Sequence, residues 1–234
     1  MDETTIMPDL TRPDVGLVWA SEWHVGSAEA QRRAADAAMT AWDGAPWPEG
    51  LLSHTVLLST DGTSVAHYSQ WTGRDAVTAF RRTDPPGRVD GILAAVPEID
   101  RRQLVEYELY RSMSTRDEGR VPGCVVLVEV EFDGPDPARQ RAWIDAVFEA
   151  LETDPHPPSG GISGHFHVST DGTRVLNFAE WESEQAHIDA LAAPGDGVGS
   201  GGSRWHRVQN YPGLLRSRVT RYRYHRARRP ADIT

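Results

Sequence analysis

The chain has 234 residues, 39% hydrophobic and 25% charged, which is ordinary globular usage and enough length to bury a core as one large domain or two small ones. Its formal charge of −10, with arginine as its only basic residue besides histidine, excludes general nucleic-acid affinity, which needs excess positive charge to neutralise phosphates. One cysteine, Cys124, excludes an internal disulfide; with no leader-like N-terminus and no apolar run of about 18 residues, a soluble cytoplasmic protein off the membrane is expected.

In chain order, a Val-rich stretch from Asp14 to Trp23 predicts a strand, and "SAEAQRRAADAAMTAW" from Ser27 predicts a helix with an alanine stripe. "STDGTSVAHYSQW" (Ser59 to Trp71) reads as the turn and second strand of a hairpin. A short helix, "RDAVTAFRR", a long loop and a strand, "LVEYELYRSMS", follow. The order then repeats. Cys124 to Phe132 is a strand, and Asp136 and Pro137 open a helix whose Ile144, Val147, Phe148 and Leu151 recur at helical spacing. "STDGTRVLNFAEW" (Ser169 to Trp181), "SEQAHIDALA", a glycine-rich loop and "LLRSRVTRYRYH" complete it.

Asp61 and Asp171 lie 110 positions apart (171 − 61), and that offset also places Val15 on Val125, Gly50 on Gly160, Trp71 on Trp181 and Leu104 on Leu214, without a shift. The fold class is therefore α+β: two tandem ferredoxin-like β-α-β-β-α-β repeats, residues 14–114 and 123–226. Each repeat would cover one sheet face with helices and leave the other bare, so the two are expected to pack sheet to sheet as an intramolecular α+β barrel around a cavity.

Side chains alternate along a strand, so the loop length of the hairpin fixes its faces. Taking Thr170-Asp171-Gly172 as a three-residue loop pairs His165 with Asn177. Ser163, His165, His167, Asn177 and Trp181 then share a polar face turned to the cavity, while Phe166, Val168, Leu176 and Phe178 pack under helices. The first repeat's matching inward set includes Thr55, His67, Ser69 and Trp71. Polar groups on a face that should be buried break core patterning, and such breaks mark functional sites.

His167 on one strand and "NFAEW" on the next resemble the antibiotic biosynthesis monooxygenase family of dimeric α+β barrels, which oxidise phenolic polyketide intermediates. The resemblance implies an Asn and a Trp four residues apart on the second hairpin strand, matched by Asn177 and Trp181, and a His on the strand before, matched by His167. The family's Tyr six positions past the Trp falls on His187, and its loop arginine on Arg204. The first repeat keeps Trp71 but has His67 in place of the Asn and Leu57 in place of the His. As a two-repeat chain it is similar to the ring-opening oxygenases of angucycline pathways, some of which use reduced flavin (FADH2 or FMNH2).

An oxygenase without metal or haem must make its substrate the reductant. It needs a base, a dry cavity and donors for developing oxyanion charge. The expected catalytic set is His167, Asn177, Trp181 and His67. His167 or His67 would take the proton, and the Asn177 amide and the Trp181 indole N–H would hold an oxygen. Trp71, His165, His187, Ser69, Thr55 and Arg204 are expected to bind the substrate, an aromatic polyketide used with O2. No carboxylate or third ligand accompanies His165 and His167, so no metal is expected. Association into a homodimer is open. The glycines of "GDGVGSGGS" open no helix, so a lid over the cavity is expected there rather than a dinucleotide site. The alternatives are a ligand-binding barrel without turnover, and haem degradation or cyclisation on the same fold.

Overall fold

The computed structural model describes residues 7–83, 88–115, 119–152, 159–193 and 202–230. The elements, in chain order, are β1 (Leu17–His24), α1 (Ala28–Asp43), β2 (Leu51–Ser59), β3 (Ser64–Trp71), α2 (Arg74–Thr83), α3 (Arg88–Ala95), β4 (Asp100–Arg101) and β5 (Val105–Ser114). They continue as β6 (Cys124–Phe132), α4 (Pro137–Glu152), β7 (Gly161–Ser169), β8 (Arg174–Trp181), α5 (Glu184–Ala192), α6 (Ser203–Gln209) and β9 (Leu214–Arg228). The segments expected to be long loops thus hold short helices, α3 and α6. The glycine-rich stretch expected to form a lid lies outside the described residues over 195–201. Among the described residues no helix is long and apolar enough to cross a membrane.

The chain forms two compact units, one running to Tyr107 and resuming at Tyr222, the other spanning Glu108–Arg221. In the first, β1 pairs antiparallel with β3 and β5, and β2 pairs with β3 and with the β9 residues from Tyr222 onward. In the second, β8 lies between β6 and β7, antiparallel to both. Each unit's core forms where one sheet face meets its helices. Val130, Phe132, Phe166, Val168 and Val175 pack on Trp143, Ile144, Val147 and Phe148 of α4 and on Trp205 and Val208 of α6.

The 110-residue offset holds for the hairpins: β2 and β7 begin at Leu51 and Gly161, β3 and β8 at Ser64 and Arg174. It does not hold without a shift. Leu17 and Cys124, which differ by 107 (124 − 17), stand opposite Trp71 and Trp181. Gln31 and Gln140, which differ by 109 (140 − 31), play one role in both helices: each buried amide donates to the hairpin, to Ser59 and Ser64 in one unit and to Ser169 and Arg174 in the other. The repeats therefore differ by small length changes on either side of the first helix, where connections tolerate them.

The hairpin register corrects the predicted faces. Val168 pairs with Val175, His167 with Leu176, Phe166 with Asn177 and His165 with Phe178. Four residues, not three, separate Ser169 from Arg174. Thr173 is drawn into the turn because its N–H and its hydroxyl both donate to Asp171 (3.0 and 2.8 Å), and the Ser169 hydroxyl accepts from the Thr173 and Arg174 amides. Gly172, at φ 78°, supplies the left-handed residue such a turn needs. One extra residue flips the faces of one strand relative to its partner. His165 and His167 therefore share a face with Leu176 and Phe178, whereas Asn177 shares one with Phe166. The first unit has the same register, with Thr55 opposite Tyr68 and Val56 opposite His67, so Thr55 is not on the face of His67, Ser69 and Trp71.

Candidate functional site

A cavity of about 370 Å³ lies in the second unit between the helix-covered face of the sheet and helices α4, α5 and α6. The site was expected on the opposite, bare face of the sheet. The lining is mostly apolar: Val128, Phe166 and Ala179 from the sheet, Trp143 and Val147 from α4, and Trp205 from α6. Its described lining residues include no charged side chain.

Three of the residues singled out in the sequence meet here: Asn177, Trp181 and His187. Asn177 and Trp181 project to the cavity because they lie four residues apart on β8, and His187 follows on α5, whose N-terminus is capped by the Ser183 hydroxyl accepting from the Ala186 amide. The Trp181 and His187 rings meet edge to face at 4.8 Å. Asn177 Oδ1 is buried and has no hydrogen-bond partner among the described residues. The indole N–H of Trp205 is in the same state. An unsatisfied buried polar atom costs about 1–3 kcal/mol, so a ligand that pairs with Asn177 Oδ1 or the Trp205 N–H would offset that cost.

His187 is held differently. Its Nδ1 accepts from Arg221 Nε–H at 2.9 Å. Burial first, and the Arg221 charge second, lower its pKa to about 4. The ring is therefore neutral near pH 7.

The other expected site residues do not line the cavity. His167 is fully buried on the opposite face, with Nδ1 3.2 Å from the Leu176 carbonyl oxygen. Burial, followed by the neighbouring His165, lowers its pKa to about 4 against the opposing pull of two backbone hydrogen bonds. His165 lies on that face too, hydrogen-bonded to Ser112 and Ser163. Arg204 is exposed and donates to the Glu149 carbonyl oxygen at 3.1 Å, while its neighbour Trp205 turns inward. Thr55, His67, Ser69 and Trp71 belong to the first unit. Sequence reasoning missed Trp205, the Arg221 contact and Gly164, whose missing side chain leaves the cavity open; the one available signal was an indole in "SRWHRVQ" at helical spacing from Val208.

In the first unit the equivalent place is filled. His54 stands where the second unit has Gly164, His67 where it has Asn177, and Phe80 where it has Ala190, all at the hairpin offset of 110. Trp42 packs on His54 at 4.7 Å and on Phe80 at 5.9 Å, Trp71 on Phe80 and Trp19 at 5.2 Å each, and His54 stacks on His67 at 5.6 Å. The His54 ring is fixed by the Ser69 hydroxyl at 2.8 Å. Burial, with a smaller push from Arg101, lowers the His67 pKa to about 3.

Comparison with known proteins adds an independent line. No family model matches the chain. A segment of 63 residues, 27% of this chain, is 36% identical to tetracenomycin-F1 monooxygenase of Streptomyces glaucescens. The match spans about half, 54%, of that protein's length. Among solved structures, an anthrone oxidase-like protein matches over 95% of this chain and 96% of its own, with a TM-score of 0.73 at 17% identity. A monooxygenase-named protein of Fusobacterium nucleatum covers 94% of this chain and 96% of its own, with a TM-score of 0.55 at 10% identity. The resemblance to the antibiotic biosynthesis monooxygenases stands. The structural matches show the shared fold, and the sequence match shows similarity to one named enzyme over part of the chain.

Among the described residues no group of three or more His, Cys, Asp and Glu side chains is placed to hold a metal ion. The described lining residues of the cavity include no cationic side chain to pair with the phosphates of FMN or FAD.

Proposed function

We propose that the chain is an oxygenase that oxidises a neutral, flat aromatic polyketide of the phenol, hydroquinone or anthrone type with O2, using the cavity of its second unit and neither metal nor haem. The observation that carries this reading is Asn177 Oδ1, buried at the wall of an apolar cavity without a partner and suited to accept from a substrate hydroxyl. The relatives' names, tetracenomycin-F1 monooxygenase and anthrone oxidase-like protein, point to the same substrate class.

In this reading the substrate lies against the Trp181 and Trp143 rings with its hydroxyl on Asn177. A carbonyl oxygen accepts from the Trp205 indole N–H or from the His187 imidazole N–H. When the hydroxyl proton is lost to water, these donors stabilise the negative charge that conjugation places on the carbonyl oxygen, and the resulting anion supplies the electrons that reduce O2. For an anthrone the stoichiometry closes as CH2 + O2 → C=O + H2O: one oxygen atom enters the ring and the other leaves as water. His167 and His67 are assigned no part as bases, since neither lines the cavity and burial lowers their pKa to about 4 and about 3, which leaves each ring a weak proton acceptor.

The first unit is proposed to be a filled, inactive copy. Oxygen uptake across a panel of anthrones and hydroquinones, with and without added reduced flavin, tests the proposal. Uptake without flavin that depends on Asn177 supports it; no uptake with any substrate under either condition refutes it.

A further inference from the structure

We infer that Arg221 is a positioning residue that fixes His187 as the Nε2–H tautomer, so that the ring presents a hydrogen-bond donor, and not a base, to a substrate oxygen in the cavity. The inference rests on the oxygenase reading only in assigning the acceptor; the tautomer itself follows from geometry.

Arg221 carries N–H donors only, and its Nε–H points at His187 Nδ1 across 2.9 Å. A guanidinium cannot accept, so a proton on Nδ1 would set two donors face to face. The nitrogen must keep its lone pair, and the neutral ring's one proton then sits on Nε2. The ring lines the cavity. The ring also packs edge to face on Trp181 at 4.8 Å. Arg221 reaches this place because residues 217, 219 and 221 share one face of β9, and Ser217 and Val219 themselves line the cavity.

The consequence is chemical. A histidine whose outward nitrogen is a fixed donor cannot remove a substrate proton through that nitrogen. It can stabilise negative charge growing on a carbonyl oxygen, as a preorganised oxyanion donor does. Arg221 would do this without touching substrate, and its own charge would reinforce the field at the ring.

Long-range 1H–15N NMR of the histidine side chains in the wild-type protein at pH 7, with His187 assigned through His187→Gln, reads the tautomer without requiring any variant to match wild-type stability. Nδ1 unprotonated and Nε2 protonated is the expected pattern; the reverse pattern, or a rapidly exchanging mixture, overturns the inference. In turnover, Arg221→Met should lower kcat about tenfold with little change in KM, and Arg221→Lys, which still donates to Nδ1, should recover most of it. Wild-type kcat in a folded Arg221→Met protein would also overturn it. Absence of oxygen uptake by wild type would refute the proposed function and leave the tautomer result to decide this inference alone.

Discussion

His54 and Gly164 occupy the same hairpin position in the two repeats, His54 opposite Ser69 and Gly164 opposite Ala179, and one fills the space that the other leaves open. The His54 ring is held by Ser69, stacks on His67 and meets Trp42 at a tilt. At Gly164 an added Cβ would meet only ordinary contacts: Phe166 at 3.4 Å, Met113 at 3.5 Å and Asn177 Oδ1 at 3.6 Å.

Gly164→Ala should therefore fold with little loss and bind a polycyclic phenol slightly more weakly. Gly164→Leu should fold but lose at least tenfold in affinity, since its branches enter the cavity beside Asn177. Tryptophan-fluorescence titration paired with thermal unfolding separates the two effects. Equal binding by wild type and Gly164→Leu would show that the ligand sits elsewhere.

Asn177→Leu should raise the stability of the free protein by about 1 kcal/mol, because it removes a buried acceptor that has no partner. The same change should lower kcat/KM by roughly ten- to a hundredfold, corresponding to one lost hydrogen bond of about 1–3 kcal/mol. Denaturant unfolding and oxygen-uptake kinetics on one preparation check both signs. A destabilised variant with normal kinetics would make Asn177 a structural residue.

Ligand binding should saturate at one molecule per chain. Trp181→Phe should weaken turnover, whereas Trp71→Phe should cost stability through the loss of its contacts with Trp19 and Phe80 and leave kcat unchanged. Calorimetric titration with a slowly reacting polycyclic phenol gives the stoichiometry, and two sites of similar affinity would contradict the filled-repeat account.

Stability should fall with acid as the unfolded chain takes up a proton that buried His167 resists. His167 is held neutral by burial, with a folded pKa of about 4 against an ordinary 6.5. The unfolded chain therefore takes up the proton first. The stability contributed by the neutral ring is complete above pH 6.5 and is lost as pH falls toward 4, to the extent of about 3 kcal/mol. His167→Gln should flatten the pH dependence of unfolding free energy across that window, and an unchanged slope would refute the assignment.

Much of the architecture was legible because it rests on strong local signals. The two TDG turns, the Val-rich first strands and the capped α4 announced their elements, and the duplication fixed their order. What failed turned on single residues. Thr173 enters its turn through bonds to Asp171 that no periodicity records, and that one residue moved His165 and His167 off the face of Asn177. Asn177 and Trp181 were singled out because the polar pattern is broken there and the family motif is kept. Trp205 and Arg221 were not, because an indole on a short helix and an arginine in an arginine-rich strand look like core and surface until β9 and α6 are placed in the fold.

Dioxygen chemistry in the second unit's cavity is proposed to depend on Asn177. Oxygen consumption with an anthrone substrate, measured without flavin or metal for wild type and for Asn177→Leu, tests it most directly. Wild type is expected to take up oxygen steadily, with one O2 consumed per quinone formed, and the variant at least tenfold more slowly. Equal uptake by the two proteins would contradict it, and so would uptake that appears only when reduced flavin is supplied.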